Sequence, residues 1–238
     1  MLVQRNKIMT ESSLNKIQNL SGSLSQRVYL SLREAILSMQ YPPGTVIRKG
    51  AICEQLGVSR SPVAEALARL SAEGLVDVIP QSATKVSCFS MDEIREASFL
   101  RQALEIAAVE KVTQERTDEQ LAALTRNVRM QALLVEDKDF VGFYQADEEF
   151  HTLLMNFTGF NGVSQVLDSV SLHLIRARML VLPEEGRPAE AVKEHQAILT
   201  AIKNQDVDAA RQAMKYHIGQ LIPRLLPLEE SHQEYFKT

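Results

Sequence analysis

From residue 24 the apolar positions repeat at helical spacing. Leu24, Val28, Leu32, Ile36 and Leu37 share one face, nearly all at four-residue steps. Tyr41-Pro42-Pro43-Gly44 ends that helix and turns the chain. A short second helix is expected over 49–56, with Ile52 and Leu56 inward. Gly57 can supply the positive φ of a tight turn, and a third helix then carries Val63, Ala66, Leu67 and Leu70 as its stripe. Ser61 is expected as its N-cap, Pro62 at its first position and Gly74 as its stop. The period then changes: 75–79 and 84–89 read as strands around a turn at 80–83. Three helices and a hairpin make a winged helix-turn-helix, whose third helix, short and polar at its front, suits a DNA major groove. A plain helical hairpin would show the same stripe.

From Met91 the pattern is helical to about residue 226, with breaks near Thr117, Lys138, 159–162, 183–188 and Asp206. Thr117-Asp118-Glu119-Gln120 has the form of a capping box, and Asp206-Val207-Asp208 places negative charge where a helix dipole favours it. The expected fold class is therefore mainly α: an N-terminal winged helix-turn-helix followed by an antiparallel all-α bundle of about six helices. The expected organisation is a mobile tail over 1–23, a DNA-binding domain over 24–90, the bundle over 91–228 and a frayed tail over 229–238.

Composition narrows the class. At 238 residues, 45% hydrophobic and 24% charged, the chain is globular and long enough for two domains. No run of about 18 apolar residues exists to span a membrane, residues 1–19 lack the apolar core of a signal peptide, and Cys53 and Cys88 are too few for a disulfide framework. A cytoplasmic location is expected, with no membrane partner. The net charge of −4 is uneven: residues 1–90 hold ten Lys/Arg against six Asp/Glu, and 91–238 hold sixteen against twenty-four. Only the front of the chain is suited to a polyanion.

On that front, Arg60 can grip a guanine edge bidentately or hold phosphate. Ser59 and Ser61 can bind phosphate or a base edge. Arg48, Lys49, Arg69 and Lys85 are further candidates, with a solvated surface as an equal alternative for Arg69 and Lys85. In the bundle, Arg101 lies on the apolar face of its helix with Ala97 and Leu104. A buried arginine needs an anion: Glu105 one turn on, or the carboxylate of a ligand held in a bidentate fork. Asp147 and His151 lie four apart on one helix face. His195 is in register with Val192, Ile198 and Ile202, and His217 with Ala210, Ala213, Met214 and Leu221. Three histidines and an aspartate from three helices thus point to the bundle axis, a donor set suited to zinc, with nickel, manganese or iron as alternatives. Any one of these histidines alone is more often a hydrogen-bonded core residue. Arg176 and Arg178 could add a second anion-binding group or face solvent.

Tyr41-Pro42-Pro43-Gly44, Leu56-Gly57-Val58-Ser59-Arg60-Ser61-Pro62-Val63, Glu65-Ala66-Leu67, Glu73-Gly74-Leu75-Val76 and Pro80 resemble the DNA-binding domain of the GntR family of bacterial transcription regulators. Arg101 to Glu105, Asp147 with Phe150-His151, Glu194-His195 and His217 resemble the C-terminal effector domain of its FadR-like branch, the FCD domain. The resemblance implies a regulator, expected to be a repressor, that binds a palindromic double-stranded operator as a homodimer. It implies a divalent metal held by Asp147, His151, His195 and His217, and a small organic acid completing the coordination. Two positions depart from the family. Ala64 stands where an arginine usually contacts DNA, and Ala83 where glycine usually forms the wing tip; both imply weaker or differently specified binding. His173 and His232 are not at ligand positions of this pattern. Three alternatives compete: a repressor sensing the metal itself, a metal-dependent hydrolase, and a DNA-binding protein whose bundle serves only for dimerisation.

Overall fold

The structure, a computed structural model, describes residue 14 and residues 17–79, 83–182 and 186–237, with the backbone alone at 168–171 and 173. The chain forms two compact units, Met1–Ser90 together with His232–Thr238, and Met91–Ser231.

The first unit is built from α1 (Leu24–Leu37), β1 (Val46–Ile47), α2 (Lys49–Leu56), α3 (Arg60–Ala72), β2 (Val76–Val78) and β3 (Thr84–Val86). Ser23 caps α1 by accepting the Gln26 N–H. The stripe of α1 (Val28, Leu32, Ile36) and that of α3 (Val63, Leu67, Leu70) are buried. Gly57, at φ 64, ends α2 in the left-handed conformation that the turn into α3 requires. Behind the helices lies an antiparallel sheet in the order β1-β3-β2, with Val46 opposite Lys85 and Asp77 opposite Lys85 on its two sides.

Four details differ from expectation. The hairpin gains a third strand, β1, too short to show a period. α3 begins two residues early: Ser59 is the N-cap, without a side-chain cap bond, and Ser61 lies inside the first turn. Pro62 therefore sits at the third helical position, where its missing N–H still costs nothing because the first four lack intrahelical partners. Within the segment expected to be a mobile tail, Ile17–Asn19 forms a 3-10 turn and Ile17 is buried, its carbonyl accepting from Arg27 Nη1 at 3.4 Å. The C-terminal tail is not frayed. Beyond Ser231 the chain pairs with the linker: the Phe89 N–H donates to the Tyr235 carbonyl at 2.8 Å and the Lys237 N–H to the Phe89 carbonyl at 2.7 Å. The Phe89 and Phe236 rings lie 5.3 Å apart, both buried, and this burial holds the tail. The expected turn at 80–83 falls largely on residues 80–82, outside the described residues.

The second unit contains α4 (Met91–Glu115), α5 (Asp118–Glu136), α6 (Phe140–Phe157), α7 (Val163–Val181), α8 (Arg187–Asn204), α9 (Val207–Ile218) and α10 (Leu221–Ser231). Both halves of the Thr117–Gln120 capping box form, and Asp206 caps α9 through the Ala209 N–H. Val109, Val112, Leu124, Val128, Phe150, Leu154, Ile198, Ile202, Met214 and Ile218 make one core. Seven helices are described where about six were expected, because the last expected helix, from the break near Asp206 to about residue 226, is itself broken at 219–220. Pro223 explains the break: it has no N–H to give the Gly219 carbonyl, and its ring clashes there in a continuous helix. No helix among the described residues is long and apolar enough to cross a membrane.

Candidate metal centre and DNA-reading helix

The apolar registers of α6, α8 and α9 carry Asp147, His151, His195 and His217 into the interior, and all four are buried. One donor atom from each lies within 4.8 Å of the others. The histidines meet through Nε2: His195 Nε2 is 3.1 Å from His217 Nε2, which is 3.2 Å from His151 Nε2. Asp147 Oδ1 is 3.8 Å from His195 Nε2.

The opposite ring nitrogens establish which tautomer is present. His151 Nδ1 is 2.5 Å from Glu105 Oε2, His217 Nδ1 is 2.6 Å from Glu194 Oε2, and His195 Nδ1 is 2.7 Å from Gln131 Oε1. Ionised carboxylates only accept. The Gln131 amide is oriented by donation from Nε2 to Asn127 Oδ1 at 2.7 Å, so its oxygen accepts too. Each Nδ1 must therefore carry the proton, and each Nε2 presents a lone pair.

Burial holds all three imidazoles below their ordinary pKa, His195 and His217 well below it, each opposed by another ring's or an arginine's charge as well. They are neutral at pH 7, the form that ligates metal. Burial alone would raise Glu105, but Arg101 and His151 outweigh it and hold its carboxyl well below the usual range.

Beside the cluster is a cavity of about 60 Å³, whose wall includes Arg101, Tyr144, Asp147, Arg178, Arg187 and His217. Of its two alternative partners Arg101 has Glu105, whose Oε1 accepts from its Nε at 2.5 Å, and its side chain also borders the cavity. Arg178 pairs with Asp147 and Glu148. Burial, reinforced by the charge of Arg101, pushes Arg178 down to about 9, so it stays charged at neutral pH. Arg176 does not face solvent, the other alternative held for it: it is buried, away from the wall of this cavity. Glu105, Gln131 and Glu194 are the residues that sequence reasoning left without a role toward the histidines. Gln131 had a visible signal, a polar residue in register with Leu124 and Val128.

In the first unit, Ser59, Arg60, Ser61, Ala64 and Glu65 are exposed at the front of α3, and so are Arg48, Lys49 and Lys85. Arg60 makes no ion pair among the described residues, whereas Ser61 Oγ lies 3.4 Å from Glu65 Oε1. Arg69, a candidate for phosphate or for solvated surface, has partners within the unit. Its guanidinium lies 3.7 Å from the centre of the Tyr29 ring and donates to Gln26 Oε1 at 2.6 Å and Glu73 Oε1 at 3.4 Å, so it serves the α1–α3 packing.

Comparison with known proteins gives two family matches: "Bacterial regulatory proteins, gntR family" over residues 24–86, and "FCD domain" over residues 96–220. The chain belongs to the gntR family. Its FCD domain holds the four buried donors, and its gntR domain presents α3. An HTH-type transcriptional regulator "in unstable DNA locus" of Streptomyces ambofaciens is 33% identical over 92% of each chain. The HTH-type transcriptional repressor RspR of Escherichia coli is 27% identical over 95% of this chain and 97% of its own. Among solved structures, E. coli McbR/YncC superposes with a TM-score of 0.73 at 21% identity, over 87% of this chain and 99% of that one, a likeness of fold. This gntR protein is accordingly a transcription regulator with a DNA-binding helix-turn-helix.

Proposed function

We propose that this gntR regulator is a repressor that binds a palindromic operator as a homodimer, and that a small carboxylate bound beside a divalent metal in the FCD bundle changes its hold on DNA. The observation that carries the metal is the meeting of three Nε2 lone pairs at 3.1–3.2 Å with no proton among them. Three buried acceptors without a donor repel one another, and a cation relieves that. Asp147, His151, His195 and His217 would hold the ion, and zinc suits this donor set best. When bound, the metal supplies a buried positive charge that attracts an anion. Arg101 and Arg178 on the cavity wall orient that anion, and the room is small. At ~10–15 Å³ for each water-sized group, about 60 Å³ accommodates roughly four to six of them, which fits a short organic acid.

On DNA, Arg60 is the principal reader in this proposal, with Ser59 and Ser61 beside it and Arg48, Lys49 and Lys85 on the backbone. Arg69 is left out because its guanidinium is already engaged. One observation favours a second reading, in which the metal itself is the signal. Each cavity arginine has a carboxylate partner within the chain: Arg101 with Glu105, Arg178 with Asp147, Arg187 with Glu194 and Arg224 with Glu190.

A single titration tests both. Operator fragments from the upstream region are followed by fluorescence anisotropy against the metal-free protein, then with zinc, then with zinc and a panel of short organic acids. A change in affinity that requires zinc and an acid together supports the first reading. A full response to zinc alone supports the second. Loss of sequence preference for any upstream fragment overturns the repressor reading. His195→Ala should abolish the zinc-dependent rise in thermal stability, since a ligand that binds only the folded form stabilises it.

A further inference from the structure

The carboxylates behind two of the histidines are doubly used. Glu105, on α4, takes Arg101 Nε on one oxygen at 2.5 Å and His151 Nδ1 on the other at 2.5 Å. Glu194, on α8, takes Arg187 Nη1 at 2.7 Å and Nη2 at 2.9 Å, and His217 Nδ1 at 2.6 Å. Two Arg–Glu–His relays thus run from the cavity wall to the cluster. His195 differs, because a neutral amide, Gln131, stands behind it.

We propose that Glu105 and Glu194 are positioning residues: each fixes a bare Nε2 of His151 or His217 toward the cluster centre and makes that nitrogen a stronger donor. This rests on the metal reading above. A carboxylate accepting from Nδ1–H draws that proton and leaves more electron density on Nε2. It also excludes the tautomer with a proton on Nε2, which could not ligate. Loss of such partners typically costs about 10–100-fold in metal affinity. The arginine at the far end of each relay has the opposite effect. It competes for the same carboxylate and so moderates the pull on the histidine.

That opposition gives a test that a merely structural role would fail. The full-length protein is stripped with a chelator. Zinc affinity is then measured by competition with a chromophoric chelator, and cobalt(II) absorption reports the ligand field. Absence of zinc and cobalt binding in the wild type overturns the metal reading and this one with it. Given wild-type binding, Glu105→Gln and Glu194→Gln are each expected to lose about 10–100-fold in zinc affinity and to shift the cobalt bands. Arg187→Gln, which frees Glu194 to act on His217 alone, is expected to bind zinc at least as tightly as the wild type. Affinities of both glutamate variants within about twofold of wild type overturn the proposal. So does an Arg187→Gln loss as large as that of Glu194→Gln, because the salt bridge alone would then explain both. If Glu105→Gln strands Arg101 and fails to fold, Glu194→Gln decides.

Discussion

The front of α3 and the centre of the FCD bundle are both polar, and they are built in opposite ways. At the front of α3, Ser59, Arg60 and Ser61 are exposed, and Arg60 has no ion-pair partner among the described residues. In the bundle Arg101, Glu105, Asp147, His151, His195 and His217 are all buried: Glu105 bonds both Arg101 and His151, Asp147 pairs with Arg178, and the three histidines meet through Nε2. An exposed group keeps its hydration until DNA replaces it, so it contributes little to folding. A buried group has lost its water already, so its partners must be in place before any ligand arrives. Function and stability should therefore separate in α3 and coincide in the bundle.

The largest effect that tests this contrast is Glu105→Ala. It leaves Arg101 uncompensated and the His151 Nδ1–H without its acceptor. Removing one partner of a buried pair costs about 3–5 kcal/mol, so chemical denaturation should show a loss of that order, with DNA contacts untouched in sequence. A loss below about 1 kcal/mol would mean that water reaches the cluster and the burial argument is mistaken.

Next in size is a pH effect on the metal-free protein. All three imidazoles have folded pKa values held below the ordinary one. Between the folded value and about 6.5 the unfolded chain binds protons that the folded chain does not. Stability is then complete above about pH 6.5 and falls as the pH drops, by up to about 1.4 kcal/mol per pH unit for each histidine. Thermal melts at pH 7.5, 6.5 and 5.5 would show it as a flat region followed by a decline. Bound zinc should hold the plateau to lower pH, because protons and metal compete for the same Nε2 atoms.

Arg60→Ala is the counterpart in α3. A bidentate arginine–guanine contact is worth about 1–3 kcal/mol, so operator affinity should drop by that amount or more, leaving at most weak, salt-dependent binding. The melting temperature should stay within experimental error, since Arg60 has no ion pair among the described residues to lose. If affinity survives, Arg48, Lys49 and Lys85 become the next substitutions. If stability falls instead, the separation drawn between the two regions is wrong.

Both regions were legible in the sequence to different depths, and the reason is physical. Helical periodicity carried α1, α3 and the bundle, because burial imposes it on every turn. It also placed Asp147, His151, His195 and His217, polar residues in apolar registers. It could not place Glu105, Gln131 and Glu194 behind the histidines. Those contacts join α4 to α6, α5 to α8 and α8 to α9, and a one-dimensional period carries no information about which helices touch. Strand β1, two residues long, has no measurable period. The C-terminal pairing of Phe236 with Phe89 spans almost the whole bundle in sequence, so composition alone made residues 229–238 look like a tail. The partners of Arg69 were hidden for a related reason: a position two turns along α3 says nothing of Tyr29 on α1.

The smallest effect sharpens the reading of α3. Ala64 is exposed on that helix, one turn beyond Arg60, where the family's DNA-contacting arginine is usually found. A surface change of this kind should alter stability by no more than about 0.5 kcal/mol. If residue 64 faces the duplex, Ala64→Arg adds one phosphate or base contact. Each neutralised phosphate steepens the dependence of log K on log salt by about 0.9. Anisotropy titrations from about 50 to about 200 mM salt would resolve a change of that size. A steeper slope with unchanged sequence preference would make residue 64 a backbone contact. A steeper slope with a new preference at one base pair would make it a reader beside Arg60. An unchanged slope would turn this side of α3 away from the groove and shift the contact to Arg48 and Lys49 at the start of α2.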